Sequence, residues 1–302
     1  SLMLNKTIYF LILIMGLTTA IGCSDDDSPA AQNSLTLSIN KLEDVGANFI
    51  YENWLIVDGS PVAAGTFSVD SNGVLSETKF LMPAKTLDSA TEYVLTIEPN
   101  PDPDPTPSKV HVLGGDFVSD NAEVSIDHSK ALGTNFSTAA GNYILATPTD
   151  EDTTNENSGL WWLDPNPSTT NLFPSPGLTL PTLPEGWEYE GWVVIDGVPV
   201  STGKFTSVSG ADSTKLFSGT TSGPQFPGED FLMNAPQGLT FPLDLSGKKV
   251  VISVEPKPDT SPDPSTIKPL EGTVPPNATD HLLYTMLNKD IGSENFGSVS
   301  RE

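Results

Sequence analysis

The sequence predicts an all-β fold, two tandem β-sandwich-like modules with proline-rich loops. Three observations predict it. The chain of 302 residues carries 27 prolines and 25 glycines against 14 Lys and Arg, and together with abundant Thr, Ser and Val this favours short strands and turns over helices. Apolar residues do not recur at helical spacing over more than about three turns; residues 277–287 are the best short helical candidate. Two blocks of sequence recur in the same order, the mark of a duplicated structural unit. A right-handed mixed barrel is the alternative architecture.

The first block, Tyr51-Glu52-Asn53-Trp54-Leu55-Ile56-Val57-Asp58-Gly59-Ser60-Pro61-Val62, returns as Tyr189-Glu190-Gly191-Trp192-Val193-Val194-Ile195-Asp196-Gly197-Val198-Pro199-Val200. Both copies continue to a glycine and a phenylalanine, Gly65 and Phe67 in one, Gly203 and Phe205 in the other. Each reads as a β-hairpin, because Asp-Gly supplies two residues that tolerate positive φ in a tight turn. The second block is Val94-Leu95-Thr96-Ile97-Glu98-Pro99, matched by Val251-Ile252-Ser253-Val254-Glu255-Pro256. The apolar runs 54–57 and 94–97 are nearly continuous, as in strands covered on both faces. Prolines and aspartates follow Glu98 and Glu255; proline cannot donate to a ladder, so these segments read as extended edges or polyproline-like loops. A short apolar strand and a glycine close each copy, residues 110–115 and 267–272.

Ahead of the repeats, Lys6 and an apolar run over residues 8–17 lead into Thr18, Thr19, Ala20, Ile21 and Gly22. The run has the length of a signal-peptide core, short of the roughly 20 residues of a membrane span. Met3 is the expected initiator. Ala20-Ile21-Gly22-Cys23 resembles the bacterial lipobox, in which the cysteine takes a diacylglycerol and becomes the new N-terminus. Cys23 is the chain's one cysteine, which leaves no partner for an intramolecular disulfide. Thioether-linked acyl chains plus an N-terminal acyl group exceed the two signals that stable anchoring needs. Ser24-Asp25-Asp26-Asp27 resembles the acidic export signal of surface lipoproteins in Bacteroidetes-type bacteria. The expected order is therefore a signal peptide over residues 1–22, a lipidated acidic tether over 23–33, and β modules over 34–147 and 148–302, with the polar stretch 150–158 at their junction. The expected location is the cell envelope, at the outer membrane and exposed on its surface.

The formal net charge is −25, which argues against nucleic acid or an anionic membrane face as a partner. No catalytic constellation is legible. His111, His128 and His281 lack metal-ligand spacing, and no Gly-x-Ser-x-Gly elbow is present. Glu98 and Glu255 have the look of a carboxylate pair for glycoside hydrolysis, although duplication alone explains why each ends an equivalent strand. Asp150-Glu151-Asp152 and Asp102-Pro103-Asp104 offer oxygen ligands for Ca²⁺ without EF-hand spacing, so they read as solvated loops. Trp161, Trp162, Trp187 and Trp192 form an aromatic concentration suited to a sugar platform; buried packing is the commoner explanation. Gly228-Glu229-Asp230-Phe231 reads as a loop covering a sheet end, without chemistry.

Leu180-Pro181-Thr182-Leu183-Pro184-Glu185-Gly186-Trp187-Glu188-Tyr189-Glu190-Gly191-Trp192, with the Asp-Gly turn, Pro-Val and Gly-x-Phe that follow and the later strand over residues 251–256, resembles the C-terminal extracytoplasmic domain of anti-sigma-K factors (RskA-type). The resemblance covers most of residues 35–115 and 178–272. It implies a β-sandwich-like fold outside the cytoplasm. The first copy departs from it, with Lys41-Leu42-Glu43-Asp44-Val45-Gly46 where the Leu-Pro lead-in would stand. Sigma-factor binding is not implied, because that family places a helical region and a membrane helix ahead of this domain. The leading expectation is a non-catalytic envelope lipoprotein that binds or senses an extracytoplasmic protein or glycan, with the membrane as its other partner and no cofactor or metal. A regulatory component of an anti-sigma or envelope-stress pathway is the alternative, and a surface glycan-acting enzyme is third.

Overall fold

The computed structural model describes residues 30–165 and 173–302. The leader, Cys23 and the tether as far as residue 29 lie outside the described residues. Within them the chain is mostly strand, in several antiparallel sheets, with one short helix, α1 (Ala84–Ser89), and two 3-10 turns. The all-β expectation holds. Every strand pairing among the described residues is antiparallel, so the mixed barrel is not formed.

The strands are numbered in chain order. β1 (Gln32–Ile39), β4 (Lys79–Pro83), β7 (Asn121–Glu123) and β20 (Gly297–Arg301) form a sheet of order β4-β1-β20-β7. The first and last strands of the described chain thus lie side by side, Leu37 opposite Val299. β2 (Phe49–Val57), β3 (Ser60–Phe67), β5 (Ala90–Pro99) and β6 (His111–Asp116) form a second sheet, β3-β2-β5-β6. A third gathers β8 (Ala140–Leu145), β9 (Gly159–Trp161), β12 (Leu178–Thr179) and β15 (Gly228–Asp230) in the order β12-β8-β9-β15, with β18 (Tyr284–Thr285) also on β8. A fourth runs β14-β13-β16-β17-β19, from β13 (Trp187–Ile195), β14 (Val198–Phe205), β16 (Lys249–Pro256), β17 (Leu270–Thr273) and β19 (Leu287–Asn288). β10 (Leu163–Asp164) and β11 (Ser175–Pro176) pair separately.

The repeated blocks therefore build two sheets of the same order, β3-β2-β5-β6 and β14-β13-β16-β17. Each hairpin turns on Asp-Gly with both residues left-handed, φ 51° and 78° at Asp58 and Gly59, 51° and 85° at Asp196 and Gly197. That is the two-residue turn whose twist matches paired strands. Both hairpins also break register at one place, beside Gly65 and Gly203, and such a bulge bends the strand and re-aims the neighbouring side chains. Tyr51 donates its hydroxyl to the Glu43 carbonyl at 2.9 Å, and Tyr189 does the same to the Pro181 carbonyl at 2.6 Å, each eight residues back. The first copy's departure from the Leu-Pro lead-in thus leaves the same tether in place.

Side chains alternate across a strand, and one face of each repeated sheet enters a shared apolar core: Tyr51, Leu55, Tyr93 and Leu95 from one, Tyr189, Val193, Val250 and Ile252 from the other, with Leu35 and Leu37 of β1. On the opposite face Trp54, Ile56 and Val94 form a small cluster of their own. Five pairings cross the expected division at residues 147/148: β8 joins β9, β12 and β18, and β20 joins β1 and β7. By contacts Ala31–Glu302 forms one compact unit. The helix expected over residues 277–287 is not formed. Tyr284 pairs with Tyr143 and Leu287 with Glu271, so open edges of β8 and β17 capture this segment, and tertiary pairing outweighs its weak local preference.

Candidate functional site: two equivalent acidic corners

On the outer face of the second sheet, Glu52 lies opposite Thr96, and Trp54 opposite Val94. The indole N–H of Trp54 donates to Thr96 Oγ1 at 2.9 Å, and the Thr96 hydroxyl donates to Glu98 Oε1. The loop after Glu98 then turns back: the Ser108 N–H donates to Glu98 Oε1 at 2.9 Å and the Ser108 hydroxyl to the Ile97 carbonyl at 2.7 Å. In the fourth sheet the pattern repeats. Trp192 Nε1 donates to Ser253 Oγ at 2.8 Å, the Ser253 hydroxyl donates to Glu255 Oε1, the Ser265 N–H donates to Glu255 Oε1 at 2.9 Å, and the Ser265 hydroxyl donates to the Val254 carbonyl at 2.7 Å. The Asn100-Pro101 and Lys257-Pro258 bonds, at equivalent places, are both cis. Buried carboxyls persist only when their oxygens are bonded, and this chain of donors meets that need in both copies. The pairing of Glu98 with Glu255 read in the sequence is this duplication: each carboxyl belongs to its own sheet and its own set of partners.

Above each chain the proline-aspartate loop and the hairpin enclose a groove, of about 440 Å³ in the first copy and about 310 Å³ in the second. Seven equivalent positions line both: Glu52, Trp54, Ala63, Thr66, Asp102, Asp104 and Pro105 in the first, Glu190, Trp192, Ser201, Lys204, Asp259, Ser261 and Pro262 in the second. Thr66 faces Glu52 across the β2–β3 pair, as Lys204 faces Glu190 across β13–β14. The second groove is occupied from within. Lys204 Nζ lies 2.6 Å from Asp259 Oδ2 and 3.9 Å from Glu190 Oε2, Ser201 donates its hydroxyl to Glu190 Oε1 at 2.5 Å, and Phe217 and Pro236 from the long β14–β15 and β15–β16 connections close one side. The first groove has a neutral threonine where the lysine stands, and Glu52 has no hydrogen-bond or ion-pair partner among the described residues.

The electrostatics follow. Burial, then the negative charges of Glu98 and Asp102, push the Glu52 carboxyl up to about 7. Burial pushes Glu190 to about 7 as well, against the pull of the Ser201 hydroxyl and the Lys204 ammonium. Burial carries Glu255 to about 8 and raises Glu98. Desolvation disfavours the charged form, so these carboxyls keep their protons far longer than exposed ones.

Other residues singled out in the sequence fall elsewhere. Asp102 Oδ1 accepts the Asp104 N–H at 2.9 Å, and Asp104 accepts the Thr106 N–H and hydroxyl at 2.9 and 2.7 Å, so both aspartates shape their own loop. Asp150 accepts from Asn155 Nδ2 at 2.8 Å and Asp152 from the Thr154 N–H at 2.9 Å. Trp161, Trp162, Trp187 and Trp192 are all buried, which makes them packing residues. The Gly228 stretch is no covering loop: Gly228–Asp230 is a buried strand on β9, and Asp230 accepts the Thr149 N–H at 2.8 Å and Trp161 Nε1 at 2.7 Å. The fold also brings His128 together with Glu92 and Asp116, their ligand atoms within 4.8 Å of one another. Lys130 lies in the same cluster: its N–H donates to His128 Nδ1 at 3.2 Å and its ammonium is 3.9 Å from Glu92. With Nδ1 accepting, the neutral ring carries its proton on Nε2, toward Asp116 at 3.4 Å, and that nitrogen then has no lone pair for a metal.

Comparison of the chain with family models, with curated proteins and with solved structures gives no match. The twin grooves therefore carry the functional argument.

Proposed function

We propose that this protein is a non-catalytic, lipid-anchored binding protein of the cell envelope, with two tandem β-sandwich-like modules displayed outside the cytoplasm from Cys23. The observation that carries the binding reading is the difference between two otherwise equivalent grooves, one filled by its own lysine and one left open with an unpaired carboxylate. Concave sites with a few convergent polar groups are where ligands bind. The buried carboxyls Glu98 and Glu255 act as supports: each fixes the loop that forms one wall of its groove. The lipobox-like stretch ending at Cys23 and the apolar run before it support export and anchoring. The likeness to the extracytoplasmic domain of anti-sigma-K factors supports the compartment and the module, and a shared fold does not by itself bring a function with it.

Two experiments test this. Labelling of cells with a fatty-acid probe is expected to tag the protein and to leave a Cys23→Ala variant untagged; equal labelling of both rejects the anchor. Purified protein on a solid support is expected to retain a protein or glycan component of an envelope extract, and retention that survives substitution of Glu52 and Asp102 rejects the first groove as the binding surface.

A further inference from the structure

At the centre of their grooves the two copies differ by a cation and by the Ser201 hydroxyl on Glu190, where the first copy has Ala63. In the second, the Lys204 ammonium sits between Asp259 and Glu190 at 2.6 and 3.9 Å. In the first, Asp102 and Glu52 stand at the same positions of the same fold, and the residue across the hairpin is Thr66. We infer that the first groove takes an aliphatic primary ammonium from outside, seated between Glu52 and Asp102 as the Lys204 ammonium is seated between Glu190 and Asp259. This deepens the binding reading above and rests on it.

Three further features fit a ligand of that chemistry. The first groove is the larger, about 440 against 310 Å³, and lacks the Phe217 and Pro236 cover of the second. Its walls include Trp54, Pro103 and Pro105, apolar surfaces against which the methylene stem of an alkylamine packs while the charged end reaches the carboxylates. The chain's net charge of −25 draws cations toward it. A methylene stem and an ammonium are shared by a lysine side chain on a protein partner and by a free diamine, so the chemistry is common to both sources.

The test titrates the purified protein with 1,5-diaminopentane, with a short blocked peptide holding one central lysine, and with Ca²⁺, followed by calorimetry and by the Glu52 carboxyl resonance. One site is expected for an ammonium probe. Thr66→Lys, which supplies the internal cation of the second copy, is expected to weaken that binding by at least about tenfold, and Glu52→Gln likewise. In the Thr66→Lys protein the Glu52 carboxyl is expected to titrate below about 7, and a cooperative melt close to that of the parent protein shows that the variant is folded. Tighter binding of the diamine assigns a free amine as the source, and tighter binding of the peptide assigns a protein lysine. Binding unchanged in Thr66→Lys overturns the inference, as does displacement of the probes by stoichiometric Ca²⁺. Absence of any ammonium binding overturns it too. In that case an envelope component still retained through Glu52 and Asp102 leaves the wider binding function standing, and loss of that retention removes both.

Discussion

The two corners share their tryptophan, their bridging hydroxyl, their buried glutamate and the serine that caps it, yet one is finished and the other open. In the second copy, a lysine on β14 supplies a cation to the groove's acids, and the long connections around β15 line one side of it. In the first, a threonine at the matching place leaves a carboxylate whose charge is opposed by nothing nearby and aggravated by Glu98 and Asp102. The copy that holds a lysine shows what the other lacks. The hydrogen-bonded chain is common to both copies, and the copies differ at the residue facing Glu52 and Glu190.

The largest effects are expected where the copies agree. Trp54→Ala and Trp192→Ala each remove a buried indole and the donor that orients the bridging hydroxyl, at a cost of about 3–5 kcal/mol in urea denaturation. The two losses should be similar, since both indoles are buried and make equivalent hydrogen bonds, and a marked inequality would break the equivalence of the two corners. Next comes pH. Glu52 and Glu190 titrate near 7 and Glu255 near 8, all raised from 4.5, so the folded chain holds more protons than the unfolded one between those limits. Their contribution to stability is therefore full below pH 4.5 and is lost as pH rises toward 8. Melting temperature should fall from pH 5 to pH 8.5, and Glu255→Gln should flatten the upper part of that fall; a slope unchanged in the variant would contradict a protonated buried carboxyl.

Smaller effects sharpen the contrast. Lys204→Thr copies the first corner into the second and should cost about 1–3 kcal/mol, since Asp259 and Glu190 lose a charged partner while staying in place; Glu190 should then titrate above its present value. A neutral outcome would mean that the lysine is dispensable to the closed groove. Smallest, and equal in both copies, are Gly59→Ala and Gly197→Ala, about 1–2 kcal/mol each for a left-handed residue. No atom lies within 4 Å of a Cβ at either glycine, so a marked inequality would point to different turn conformations in the two hairpins.

The hairpins and the core strands are legible in the sequence because their signals are local: Asp-Gly for the turn, aromatic and β-branched runs for the strands. The equivalence of Glu98 and Glu255 is legible for the same reason. The contrast between the grooves is also written in the repeat, as Thr66 against Lys204 beside the matching Asp102 and Asp259. It gains meaning only when the loop after Glu98 is seen to fold back over the hairpin. The captured segment around Tyr284 and the buried strand at Gly228 depend on edges supplied by residues more than a hundred positions away for the first and by β9 for the second. Composition carries no trace of such pairings. Asp230 looks like a surface acid in the sequence and is buried because Thr149 and Trp161 come to it.

The pairing of β1 with β20 gives the architecture a direction in time. The strand nearest the start of the described chain cannot complete its sheet until residues 297–301 have arrived, so a polypeptide still being made lacks the neighbour that closes it. Contacts between such distant segments slow folding. A chain cut short by its last few residues would strip β1 of one of its two flanking strands and leave its backbone exposed along that side.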